Sequence, residues 1–286
     1  MLTLLAILVD GMVYASWLFI VAVGLSLIFG VMKILNVAHG ALYAFGAYGS
    51  ATLIGAYFDR GLPPLGGFAM ILLAAIGTGI VVGLVLERGL LRFMYGRDEV
   101  IIVLVTYAAF LISEDLILLI WGPNPYFAFQ PYSLLGTTAA GILSFANYDL
   151  SLIALSVSLG GLLWWWLSGT RQGKLLQAVI HDREMAQALG INVTRMFTLT
   201  FLLGAILGAF GGAVTAPQIS VTLGIGVEVI VIAFAVVVVG GMGSIPGAAV
   251  GALIVGLIRA AAVHLFPQIE LFVIYAVMSL VLALRP

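Results

Sequence analysis

Val100-Ile-Ile-Val-Leu-Val-Thr-Tyr-Ala-Ala-Phe-Leu-Ile-Ser-Glu-Asp-Leu-Ile-Leu-Leu-Ile120 is apolar at almost every position, and Val227 to Val239 continues the same way. A helix crosses a bilayer on about 20 mostly apolar residues, so the first run alone has the length of a span. A transmembrane β-barrel would instead alternate apolar and polar residues over about ten positions. Outward from this stretch the whole chain is similar: 63% of its 286 residues are apolar, material for roughly eight or nine spans. Eleven basic and twelve acidic residues make up 8% of the chain, against about 25% in soluble domains. So few charges cannot cover a water-soluble surface of this size. A soluble enzyme, a nucleic-acid binder and a disordered scaffold are excluded together. The fold class is all-α, a polytopic transmembrane bundle of about 8–9 spans forming a single domain over residues 1–286.

Hydropathy places spans near 5–30, 38–58, 66–87, 100–121, 150–168, 196–216, 227–241, 248–263 and 269–284. Their direction follows from the basic residues of the connections. Lys33 follows the first span, Arg88, Arg92 and Arg97 occupy 88–99, and Arg171, Lys174, Arg183 and Arg195 occupy 169–195. The connections 122–149 and 217–226 hold no Lys or Arg. Basic connections stay on the cytoplasmic side, so the N-terminus is expected outside, with 169–195 cytoplasmic and 122–149 external. Nine crossings then put Arg285 in the cytoplasm. The alternative makes 227–263 one crossing broken at Gly240-Gly-Met-Gly-Ser-Ile-Pro-Gly247, which requires a wet or protein-buried break. Met1 to Val9 lacks the basic residues of a cleavable leader.

Much chemistry is missing. Zero cysteines exclude disulfides, thiolate metal sites and cysteine nucleophiles. Gly173-Lys174 has neither the preceding glycine spacing nor the following Ser or Thr of a phosphate loop. His39, His181 and His264 stand in separate segments without ligand spacing, so no metal site is expected. The chain is therefore not expected to be an enzyme. Charges near apolar segments (Asp10, Glu114, Asp115, Glu228 and Glu270) either reach interface water or line a vestibule, and mid-span acids of the sort an ion-driven transporter needs are lacking. Gly204, Gly208 and Gly212 recur every four residues, which lets helix backbones approach in lipid. The prolines and aromatics of 122–149 fit a surface loop at the outer interface, or else a docking surface for an external partner.

The 169–195 connection carries the most specific signal. Asp182 is placed to cap a short helix, Glu184 lies in its first turn, and Gly190 is placed to end it. Met185 and Leu189 are four apart and share a face, with Ala186 beside them. The expectation is a helix of about two turns, Arg183 in its first turn, with charged ends and an apolar knob that fits a groove in another protein. An interfacial helix on lipid would carry a longer apolar face and more basic residues.

Glu184-Met-Ala-Gln-Ala-Leu-Gly190 resembles the loop by which permeases of ABC importers dock onto their ATPases. Gly24-Leu-Ser-Leu-Ile-Phe-Gly30, Leu35-Asn-Val-Ala-His-Gly40, Gly46-Ala-Tyr48, Glu87-Arg88, Thr106, Trp121-Gly-Pro123, Gly173-Lys-Leu-Leu-Gln-Ala178, Leu189-Gly-Ile-Asn-Val193, Phe201-Leu-Leu-Gly204 and 240–247 are similar to the branched-chain amino-acid importer permeases. The resemblance covers essentially the whole chain. Two positions depart from the family pattern. Ala41 stands where many members have an acid, and Gln177 stands where many have Arg.

The resemblance implies a permease subunit of an ATP-driven importer in a bacterial or archaeal inner membrane. It pairs with a second permease, copy or paralogue, with two cytoplasmic ATPases that hold ATP and magnesium, and with an external substrate-binding protein. The expected cargo is a branched-chain or related small amino acid. Urea or short amides, which relatives of this family carry, are the alternative cargo, and a stand-alone secondary transporter or channel is the rival of another class. Asp182, Arg183, Glu184, Met185, Ala186, Leu189 and Gly190 are the expected ATPase-coupling residues. Asn36, His39 and Gly40, with Gly243 and Ser244 in the second half, are the candidate translocation path. The plainer alternative has Asn36 cap the second helix and His39 satisfy backbone carbonyls.

Overall fold

The computed structural model describes residues 2–140 and 143–284. Arg285 lies outside the described residues, and so does the side chain of Glu270. The elements in order are α1 (Leu2–Met32), α2 (His39–Phe58), α3 (Gly66–Gly89), α4 (Glu99–Trp121), α5 (Gln130–Leu134), β1 (Thr137–Ala140), β2 (Leu143–Ala146), α6 (Asn147–Gly169), α7 (Arg171–His181), α8 (Arg183–Ala188), α9 (Val193–Thr215), α10 (Ile225–Gly240), α11 (Ile245–Leu265) and α12 (Glu270–Leu284). Helices α1, α3, α4, α6, α9 and α11 are each long and apolar enough to cross a membrane, and α10 is a shorter apolar helix. Helix α2 has 20 residues, most of them buried. It meets protein rather than lipid, which explains its small and polar residues.

The centre of the bundle is α1 packed against α9, α2 and α11. Gly24 of α1 lies against Gly204 of α9, Gly11 of α1 against Leu257 in the second half of α11, and Gly30 against Gly243 just ahead of the start of α11. These pairings make α9 and α11 antiparallel to α1. The glycine stripe of α9 receives its neighbours in turn: Gly204 faces Ile28, Gly208 faces the His39 ring, and Gly212 faces the Tyr43 carbonyl. Close backbone approach replaces the hydrophobic driving force that lipid does not supply.

Two helices begin inside the bundle. Lys33 holds φ 54°, and its N–H donates to the Phe29 carbonyl at 2.9 Å, the single-bond left-handed ending of a helix. Residues 33–38 then run without helix but largely buried, and the Val37 N–H donates to Thr106 Oγ1 of α4 at 3.2 Å. Non-helical backbone at this depth is tolerated because protein surrounds it. The start of α10 is similar: the Gly224 N–H donates to Glu114 Oε2 at 3.0 Å, and Gly226 packs on Gly40, the second residue of α2.

Gly240 lies against Gly247, and Gly251 against the Val236 carbonyl, so α10 and α11 form an antiparallel hairpin. They reverse direction and are not halves of one interrupted crossing. The 122–149 connection is no bare loop either. It folds into α5, with Pro131 in its first turn, and the antiparallel β1–β2 pair. Trp121 Nε1 donates to Thr52 Oγ1 at 2.7 Å, and Tyr126 exchanges two 2.9 Å backbone bonds with Val221.

Candidate functional site

Eight of the eleven basic residues (Lys33, Arg88, Arg92, Arg97, Arg171, Lys174, Arg183 and Arg195) follow or precede helix ends that meet at one end of the bundle. There 169–195 folds into α7 and α8. Thr170 caps α7 through Oγ1, which accepts from the Gly173 N–H at 3.1 Å, and Leu176 and Val179 are the buried side of α7. Helix α8 spans six residues, shorter than the two turns its sequence implied. Asp182 Oδ1 accepts from the Met185 N–H at 2.9 Å. At the other end the Ile191 N–H donates to the Ala186 carbonyl at 3.0 Å and the Gly190 N–H to the Gln187 carbonyl at 2.9 Å. That pair of bonds is a Schellman motif, and it needs the left-handed conformation that Gly190 supplies at φ 81°.

Both caps fix what α8 presents. Met185 is 57% exposed and Leu189 74% exposed, so the shared face points away from the protein. Ala186 does not belong to that face. It is 2% exposed and turned toward the bundle, because one residue along a helix rotates the side chain by about 100°. Glu184 is exposed in the first turn. The guanidinium of Arg183 lies over the Phe197 ring of α9 at 5.0 Å.

Behind Phe197 stands a group to which the sequence assigned no role beyond its part in the family resemblance. Glu87, at the end of α3, is fully buried. Its Oε1 accepts from the Tyr95 hydroxyl at 2.8 Å and from Thr198 Oγ1 of α9 at 2.7 Å, and Tyr95 packs edge-on against Phe197 at 5.2 Å. Burial, then the neighbouring carboxylate, pushes the Tyr95 phenol well up from its ordinary value. Arg183, Phe197, Tyr95 and Glu87 thus form an unbroken chain of contacts from α8 to α3. Removing this buried acceptor leaves the Tyr95 hydroxyl without its partner, while Thr198 Oγ1 retains the Thr194 carbonyl at 3.1 Å, and a bond to a charged group contributes about 1.5–3 kcal/mol. Glu87→Ala is therefore expected to cost about 2–5 kcal/mol, read as a lowered thermal midpoint of the detergent-purified protein. Tyr95→Phe should lose less. An unchanged midpoint for Glu87→Ala would remove the role assigned to this carboxylate.

The candidate path residues lie elsewhere. His39 is buried between α1 and α9, its Nε2 3.1 Å from the Val21 carbonyl, and its ring touches the positions of Gly24 and Gly208. Asn36 is fully buried, and neither of its amide atoms has a hydrogen-bond partner. It does not cap α2, whose cap position is Ala38. Gly40 meets Gly226. Gly243 meets Gly30, and Ser244 Oγ caps α11 by accepting from the Gly247 N–H at 3.0 Å. The two groups sit at different heights on α1, near Gly24 and Gly30, about 9 Å apart along the axis. They are not brought together.

None of these five lines a cavity of about 720 Å³ at the end remote from the basic connections. Its walls come from the first half of α1, from α2, β2 and α6, from residues 215–219, from α10 and from α11. Asp10 lies at its edge, 2.7 Å from His264 Nε2.

Similarity to known proteins decides the family. Residues 7–282 match the family model described as the permease component of the branched-chain amino acid transport system. The chain belongs to that family. It is 28% identical to the high-affinity branched-chain amino acid transport system permease protein BraD of Pseudomonas aeruginosa, over 98% of this chain and 93% of that one. It is 26% identical to the corresponding permease protein LivH of Escherichia coli, over 97% and 92%. A probable branched-chain amino acid transport permease protein of Methanocaldococcus jannaschii is 28% identical over 88% and 78%.

In this permease the sequence analysis also missed Arg259, within α11. Its guanidinium stacks on the Tyr14 ring of α1 at 3.9 Å, and both residues line the cavity. The available signal was a single arginine inside the apolar run 248–263. Such a residue is a functional candidate by default, because a charge at membrane depth must pair or meet water. Counting charges only in the connections hid it.

Proposed function

We propose that the chain is one membrane-spanning permease subunit of an ATP-driven importer that moves branched-chain or related small amino acids across a bacterial or archaeal inner membrane. The basic end faces the cytoplasm and the N-terminus faces outside. Two separate ATPases, which bind ATP and magnesium, grip α8 from below, and an external binding protein delivers cargo at the opposite end. A second permease, copy or paralogue, completes the pathway. The observation that carries this reading is α8 itself: a helix capped at both ends, at the basic end, with Met185 and Leu189 left exposed by the described residues. Exposed Phe127 and Phe129 at the other end suit contact with a delivering protein.

Co-purification from membranes tests it. The permease should bring down an ATPase subunit, and Gly190→Asp should abolish the association, because a side chain at positive φ disrupts the ending of α8. Reconstituted with its partners, the assembly should take up leucine only when ATP and the binding protein are present. Transport by this chain alone under an ion gradient would overturn the reading.

A further inference from the structure

Helix α3 packs along α9, whereas α6 packs along α1, and between them a groove of about 360 Å³ is left over the end of α9. Ile71 and Leu72 of α3 form one wall, Leu155 and Ser158 of α6 the other, and Phe210 and Val214 of α9 the floor. The side-chain donors of its described lining are all used inside the protein. The Tyr148 hydroxyl donates to the Val214 carbonyl at 2.7 Å, Ser151 Oγ to the Tyr148 carbonyl at 2.6 Å and Ser158 Oγ to the Ala154 carbonyl at 2.7 Å. The remaining described lining is apolar. A buried water needs two to four polar partners, so the groove suits an apolar occupant. Its width selects which one. Residues 148–158 of α6 rise about 15 Å, so the groove has an average section of about 24 Å². That is the section of one hydrocarbon chain, and about a third of the disc filled by a helix about 10 Å across. The groove also continues the lipid-facing surface of two spans: Leu72 is 51% exposed, and Val157, beside the Ser158 wall, is 69% exposed.

We propose that this groove is a binding site for one acyl chain of a membrane phospholipid, from the leaflet remote from the basic connections, and that the chain backs the partition between the membrane and the 720 Å³ cavity. Leu152 lines the groove on one side and the cavity on the other. The Tyr148 ring, on the groove, packs at 5.5 Å on that of Tyr132, which lines the cavity. The partition is thus one layer of side chains thick. Facing an empty groove, Leu152 and Tyr148 lose their contacts on that side, and the acyl chain restores them. The site requires only that α3 and α6 span the bilayer, so it stands or falls apart from the importer reading.

The test places the permease, with any subunits that copurify left attached, in vesicles of phosphatidylethanolamine and phosphatidylglycerol. These carry a phospholipid with a diazirine at mid-chain, and labelled residues are read by mass spectrometry after photolysis. Phe210 and Val214 are only 8% and 3% exposed, against 61% for Leu162 on the open face of α6. The two floor residues should nevertheless be labelled at least as heavily as Leu162. Ser158→Trp fills the groove from a side chain bonded only to its own helix. It should cut labelling of α9 by about fivefold or more and leave Leu162 labelled as before. Floor labelling several-fold below that of Leu162 in the parent means annular lipid only, or a groove filled by another subunit, and overturns the site without recourse to any variant. Undiminished α9 labelling in Ser158→Trp overturns it too. Leu152→Ala thins the partition and should admit label to Trp17 or Tyr132 in the cavity. Label still confined to the groove would overturn the chain's part in that partition.

Discussion

Leu189→Asp is expected to leave the permease folded in the membrane and to reduce ATP-driven uptake by at least about a hundredfold. Leu189 is the cap residue of α8 and 74% exposed. A charge at such a position changes stability by no more than about 0.5 kcal/mol. In a partner's apolar groove the same carboxylate is desolvated and unpaired, at a cost of about 3–5 kcal/mol, and each 1.4 kcal/mol is a tenfold loss of affinity. Leu189→Met keeps the apolar knob and should retain most uptake. Ala186→Asp gives the contrast, since Ala186 is buried against the bundle and the change should lower the thermal midpoint before any partner is involved. Wild-type uptake by Leu189→Asp would remove α8 as the contact through which a motor acts.

What made α8 legible is that every element of it is local. A capping aspartate, a terminating glycine and a pair of apolar residues four apart interact within ten positions of chain, so residue type and spacing specify the geometry. Ala186 was misplaced because adjacency in sequence was taken for adjacency on a face. The spans were legible for the same reason that soluble folds were excluded: long apolar runs have one stable form in lipid. Their ends moved by a few residues, as with α1, which begins at Leu2.

Long-range pairs were not legible. Asn36 reads locally as a cap just ahead of α2, yet the left-handed turn at Lys33 sends 34–38 into the bundle and leaves Ala38 in the cap position. Glu87 meets Thr198 across 111 residues, and Arg259 meets Tyr14 from the far end of the chain. No spacing rule joins such residues. The site consequently divides into a contact surface that sequence reveals and a cavity that only packing reveals. On the proposed function the division has a physical basis: a helix gripped by a partner must project from the protein, whereas a cavity between helices is assembled from residues far apart in the chain.

The packing around that cavity leads to the second large effect. Gly212→Val is expected to prevent accumulation of the folded permease, or to lower its thermal midpoint by at least about 10 °C. A Cβ on Gly212 would stand 1.9 Å from the Tyr43 carbonyl oxygen and 2.9 Å from the Ala47 nitrogen, and on Gly46 it would stand 2.0 Å from the Ala209 carbonyl oxygen. These are backbone atoms of the facing helix, so no rotamer change relieves the clash and α2 must separate from α9. Separation also breaks the 3.0 Å bond from Ser50 Oγ to the Ala213 carbonyl. In lipid the lost contacts are not replaced by hydrophobic burial elsewhere. Gly77→Ala, where a Cβ meets nothing within 4 Å, should be neutral or slightly stabilising. A wild-type midpoint for Gly212→Val would mean that α2 and α9 are not held at this distance. Tyr43 stands at the contact point, so the same displacement would move its hydroxyl out of the cavity floor.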